Sequence, residues 1–206
     1  MKGVLDTKGV LLAAFFGIVL FVYGGQSYLA LMLFFFLLAV FVTKYDYEIK
    51  KELGLYEHER GWENVLSNGI LPAALAVLSP SLGPIPFISC LAAVTADKFG
   101  SEIGVLDAEN PVSVFDLKRV KPGTSGAVSP MGSIGSLAGA TAIGAGAIVL
   151  FGISPTQALL VGISGVAGSF ADTVFGVFEE KGVGTKGTTN FICSLVGAAA
   201  GYYLIS

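Results

Sequence analysis

Charge, histidine and cysteine are all scarce in this chain. Only 13% of its 206 residues are charged, 53% are hydrophobic, and the mean hydropathy is +0.76. That balance excludes a soluble domain of this length and points to a polytopic membrane protein. The two cysteines, Cys90 and Cys193, lie inside apolar runs without metal-ligand spacing, which leaves packing as their role. The single histidine, His58, sits in a charged loop, where a surface position is the default and catalysis the exception. No small-residue cleavage site follows the first apolar run, so a signal peptide is not expected there. The G-K-[ST] order of a Walker A loop is missing. No nucleic-acid partner is expected.

What is present is a series of apolar runs, each near the roughly 20 residues that cross a bilayer. Seven are marked: residues 9–23, 28–43, 65–78, 85–105, 130–151, 155–178 and 189–205. Ser129-Pro130 and Ser154-Pro155 each place a capping Ser before a Pro at the first helical position. Ser154 with Gln157 also fits a capping box. The expected fold is all-α, one integral membrane domain over residues 1–206, with the chemistry within 60–205.

With seven spans, all 12 Lys and Arg fall on one side, in alternate loops or, for Lys98, toward the end of the fourth span, and the intervening loops have none. The positive-inside rule then puts the N-terminus and the charged loops in the cytoplasm and the C-terminus outside the cell membrane. Residues 44–62 are dense in charge and are expected to form a solvated surface helix, with an interfacial helix as the alternative. Pairs of small residues four apart, such as Gly135 and Gly139 or Gly197 and Gly201, are expected to let helices approach closely. A weak parallel repeat is also visible. GTSGAVSPMGSIGSLAGA from Gly123 aligns with GTKGTTNFICSLVGAAAG from Gly184, and each follows a helix with an Ala-Asp pair, Ala96-Asp97 and Ala171-Asp172.

The candidate site surrounds residues 96–135. A span of about 20 residues from Pro86 leaves Asp97, Lys98, Ser101 and Glu102 within membrane depth. Asp97, Ser101 and Gly104 share one helical face, and Lys98 with Glu102 is an i, i+4 pair. Asp172 is recessed about 10 Å of helix from the next acid, Glu179. Carboxylates at that depth cost several kcal/mol unless paired, and mark a functional cavity or a structural ion pair, here with Lys98. Asp97, Glu102 and Asp172 are the candidate catalytic ligands of Mg²⁺, an oxygen-seeking cation, and Lys98 joins them as a catalytic cation. Asn64, Asn68 and Asn190 stand at helix starts on the same side, as caps or as further polar ligands. The segment with Arg119, Lys121, Gly123, Thr124, Ser125, Gly126 and Ser129 is basic, then glycine-rich, and leads into a helix. It is a candidate phosphate site, with a plain connector as the alternative.

Four of these stretches carry a resemblance: N-V-L-S-N-G (64–69), A-D-K-F-G-S-E-I-G (96–104), P-G-T-S-G-A-V-S (122–129) and G-S-F-A-D-T-V-F-G (168–176). In this order they resemble a family of integral membrane proteins long filed as a domain of unknown function, which includes the plant phytyl-phosphate kinase. Lys98 stands where that family more often has Thr, and its Gly-Arg before the Asn motif is here Arg60-Gly61. The resemblance implies transfer of the γ-phosphate of a nucleoside triphosphate, CTP by preference, to an isoprenyl monophosphate, with Mg²⁺ as cofactor and membrane lipid as surroundings. Oligomer formation is left open. A secondary transporter or ion-coupled carrier uses recessed carboxylates and glycine-broken helices too. A CDP-alcohol or cytidylyl-type lipid transferase uses similar parts.

Overall fold

A computed structural model describes residues 5–54, 61–107 and 111–205. His58 and Arg60 lie outside the described residues. Helices occur at each of the seven apolar runs. They are α1 (Thr7–Val19), which runs into one π-helical turn (Leu20–Gly24), then α2 (Gln26–Lys44), α4 (Trp62–Val77), α6 (Ile85–Gly104), α7 (Pro130–Phe151), α8 (Pro155–Glu180) and α9 (Lys186–Ile205). Two short helices, α3 (Tyr47–Glu52) and α5 (Ser79–Leu82), lie in the connections. The Ser caps form as read: Ser129 Oγ accepts from Gly132 N, and Ser154 makes a complete capping box with Gln157.

The chain is an all-α polytopic membrane fold, but length and composition alone do not reach seven crossings. Among the described residues five helices are long and apolar enough to cross, α1 with its π turn, α2, α7, α8 and α9. The other two differ for physical reasons. α4 has only 16 residues and Pro72 inside it. α6 has 20 residues but carries Asp97, Lys98 and Glu102.

α6 is the centre of the bundle and packs against α2, α4, α7, α8 and α9. Residues 86–96 are all buried, whichever way they point. A helix enclosed on every side needs protein, not lipid, as its surroundings. Close approach makes this possible. A Cβ added at Gly139 would lie 2.7 Å from the Thr95 carbonyl, and one at Gly197 would run into the Cβ of Ala93. Outside, large apolar side chains face away from the protein: Leu11 and Phe15 on α1, Leu37 and Phe41 on α2, Val149 on α7, Leu159 on α8, Tyr203 on α9. These are the lipid-facing surfaces.

The two ends of the bundle differ. At one end Tyr28 packs on Phe87 and Phe151, with ring centres 4.5 and 5.1 Å away, and closes the interior with aromatic carbon. The other end carries the charges. There a small hairpin pairs β1 (Val112–Ser113) with β2 (Ala127–Val128), Val112 opposite Val128, and packs against α8.

The surface-helix expectation for residues 44–62 fails at one residue. Lys50 on α3 is 0% exposed. Its Nζ donates to the carbonyls of Val42 (2.8 Å) and Thr43 (3.4 Å) and to Glu102 Oε2 (2.9 Å). The ammonium thus satisfies the free carbonyls at the C-terminus of α2, where the helix dipole favours a cation.

Candidate active site

A cavity of about 460 Å³ opens at the charged end. α6 supplies Asp97, Lys98, Ser101 and Glu102, and α4 supplies Asn64 and Asn68. α8 contributes Asp172 and Thr173, α9 contributes Lys186 and Asn190, the hairpin loop contributes Gly123, Thr124, Ser125 and Gly126, and Ser129 joins them as the cap of α7. Phe35, Val94, Val166 and Phe170 form apolar wall. Phe170 is at the same time exposed on the lipid side of α8, so the polar chamber continues into an apolar flank.

Thirteen of the fifteen expected residues therefore line one chamber, Arg119 and Lys121 being the exceptions. Both are exposed, and Arg119 is held in a β-bridge with Val112 on the outer edge of the hairpin. The cations that do reach the chamber are Lys98 and Lys186. The loop also differs from an open anion cradle. Thr124 N and Ala127 N bond within the loop, and Ser125 N donates to Glu180 Oε1 at 2.9 Å. At the start of α7, Met131 N and Gly132 N are taken by Asp107 Oδ2 and Ser129 Oγ. The loop docks on α8, where Gly126 meets Gly176 so closely that a Cβ on Gly176 would lie 2.8 Å from Gly126 N.

The three acids divide into two groups. Glu102 takes Lys50 and Lys98 as ion pairs and Thr43 Oγ1 as a donor at 2.9 Å. Asp97 stands within hydrogen-bonding reach of Asp172. Asp172 is 5% exposed, and its Oδ2 accepts from Lys186 Nζ at 2.8 Å. The alternative of a structural ion pair between Asp172 and Lys98 does not form: Lys98 pairs with Glu102 at i, i+4, as the helical spacing allows, and Lys186 takes Asp172. Among the described residues no three of His, Cys, Asp and Glu gather as one cation site, because Glu102 points into its own lysine pair.

The asparagines separate as well. α4 begins at Trp62 with Gly61 as its cap, so Asn64 is inside the helix and does not cap it. Asn68 Nδ2 donates back to Asn64 O at 2.9 Å and Asn64 Oδ1 at 3.3 Å. Asn190 lies a turn inside α9, 7% exposed. Asp172 Oδ1 and Asn190 Oδ1 are buried and accept no hydrogen bond among the described residues. Buried oxygens without a donor cost about 1–3 kcal/mol each, more when charged. Asp97, Asp172 and the orphaned amide oxygen of Asn190 are oxygen donors that line one cavity, the donor type a hard divalent cation takes.

The repeat read from the sequence has a counterpart here. Asp97 and Asp172 meet, and Gly123 and Gly184 both have left-handed backbones, φ +83° and +87°. Lys186 was not singled out as a site residue from the sequence. The alignment places it at Ser125, inside the chamber-lining loop, and that was the available signal. For the pairing of Lys50 with Glu102, 52 residues apart, the sequence holds no local signal.

The family model described as Integral membrane protein DUF92 matches residues 1–198. The chain belongs to this family. A membrane protein of Methanocaldococcus jannaschii is 37% identical over 202 residues, covering 96% of this chain and 84% of that one. Protein PGR of Arabidopsis thaliana is 28% identical over 208 residues, covering 84% and 70%. A membrane protein of Synechocystis is 30% identical over 131 residues, covering 58% and 50%. No solved structure matches the chain.

Proposed function

We propose that this DUF92 protein is a membrane phosphotransferase that moves the γ-phosphoryl group of a nucleoside triphosphate, CTP by preference, onto an isoprenyl monophosphate. The observation that supports this most is one chamber holding Asp97, Asp172, Asn190, Lys98 and Lys186 with an apolar flank reaching Phe170 at the lipid surface. Polar head and apolar tail of an amphipathic acceptor each meet matching surroundings. An oxygen of the acceptor monophosphate bonds to the γ-phosphorus as the bond to the bridging oxygen breaks. The nucleoside diphosphate leaves with the electron pair. The acceptor oxygen is ionised near neutral pH, so no general base is needed, and the chain has no histidine among its described residues to act as one. What two anions need is positive charge and alignment, and Lys98 and Lys186 supply charge from two helices. Asp97, Asp172 and Asn190 would hold Mg²⁺, which would neutralise phosphate oxygens beside them.

A carrier has less support. The far end is closed by Tyr28, Phe87 and Phe151. The buried hydroxyls of Thr95, Ser164 and Ser194 bond back to carbonyls of their own helices and line no path. By the positive-inside rule the chamber and the N-terminus face the cytoplasm, where nucleotides are. The test is purified protein with geranylgeranyl phosphate or geranylgeraniol, each with CTP and ATP, products identified by mass. Diphosphate from the phosphate is expected. Monophosphate from the free alcohol, with no diphosphate from the phosphate, would overturn the reading.

A further inference from the structure

Lys186 is the first residue of α9, half-exposed, with a long side chain anchored at one point, Asp172 Oδ2. Asp97, Asp172 and Asn190 line the same cavity as Lys186, and the Oδ1 atoms of Asp172 and Asn190 accept no hydrogen bond among the described residues. One ammonium therefore faces a donor set that it fills only in part. With both carboxylates ionised, one lysine leaves a net charge of about −1, whereas a divalent cation in its place balances them and displaces any proton they share. Lys98, by contrast, is tied to Glu102 on its own helix.

We propose that Lys186 is a built-in counter-ion that yields Asp172 to a divalent cation and then turns its ammonium to the phosphate oxygens in the chamber. This rests on the cation site and the phosphate chemistry proposed above. Two observations make the movement possible. Lys186 is half-exposed, so the head group is not locked by packing. The turn before it contains Gly182 and Gly184, both with positive φ, so the start of α9 is set by a glycine turn and not by a buried contact at Lys186. The arrangement keeps the two acids paired when no cation is bound. It also couples arrival of the metal to release of a phosphate-binding charge.

The experiment uses the full-length protein in detergent and Mn²⁺ as the probe, read by electron paramagnetic resonance with neither nucleotide nor lipid present. K186M removes the competing charge, and Mn²⁺ binding is expected to tighten about tenfold or more. K186R keeps the charge, and its affinity is expected to stay within about threefold of wild type. Phosphoryl transfer by K186M is expected to fall about 100-fold, since one cation at the developing charge is lost. In the wild-type protein Mn²⁺ is expected to increase acylation of Lys186, read by mass spectrometry, whether or not K186M folds. Equal Mn²⁺ affinity in wild type and K186M, or acylation unchanged by Mn²⁺, overturns the inference and leaves the kinase reading standing. Tighter Mn²⁺ binding in K186M, with no diphosphate formed by wild type, keeps the counter-ion role and removes the kinase reading. No Mn²⁺ binding in either protein overturns the cation site and the counter-ion role together.

Discussion

Asp97 and Glu102 sit five residues apart on α6, at the same end of the same buried helix, and they are treated in opposite ways. Glu102 meets two lysines and a threonine hydroxyl, and one of those lysines is sealed from solvent. Asp97 faces another acid, Asp172, one of whose oxygens is buried and accepts nothing among the described residues. A buried ion pair that is fully satisfied ties elements together, here α2, α3 and α6. An acid pair with one buried oxygen left short of a donor is a cost that folding alone does not explain, and perturbed acids of this kind cluster at functional sites. On the proposed function, the recessed acids divide into a structural group and a working group.

The largest effect expected is on the working group. Asp172→Asn is predicted to lower phosphoryl transfer about 100- to 1,000-fold, the range seen when one element of charge stabilisation is removed, while the detergent melting temperature stays near wild type. Near-normal turnover at saturating Mg²⁺ would erase the distinction. Glu102→Gln is predicted to do the reverse. It leaves Lys50 buried without its counter-charge, at a cost of about 3 kcal/mol, read as a lower melting temperature, with activity per folded molecule falling less than about tenfold. If Glu102→Gln instead abolishes turnover without loss of stability, Glu102 joins the working group. Thr43→Val removes one donor to Glu102 and is predicted to cost about 1 kcal/mol with turnover unchanged. The smallest effect is expected for Arg119→Ala with Lys121→Ala. Both side chains stand outside the chamber, so kcat/KM is predicted to change less than about twofold. A drop of tenfold or more in kcat/KM for the nucleotide would return them to the phosphate site.

Features set by neighbours in the chain were legible without the structure. Ser129-Pro130 and Ser154-Pro155 mark helix starts because capping is a contact over three residues. The i, i+4 pairing of Lys98 with Glu102 and the shared face of Asp97 and Ser101 follow from helical period. The depth of Asp172 follows from counting residues along an apolar run.

Other features were decided only when helices met. Whether α6 is surrounded by lipid or by protein depends on five partners, and its own residues, charged at one end and apolar along the rest, do not say. Lys50 belongs to a charged stretch that reads as surface, yet it is sealed beneath α2 because Glu102 and two α2 carbonyls await it there. Arg119 and Lys121 look better placed than Lys186 in the sequence, but the hairpin turns them outward while the start of α9 carries Lys186 to Asp172. The sequence by itself determined the seven apolar runs, the Ser-capped starts of α7 and α8, and the one end at which charge collects, because hydropathy and capping act locally. Tertiary structure decided which charge meets which, because a pairing between distant residues depends on where the packed helices put them.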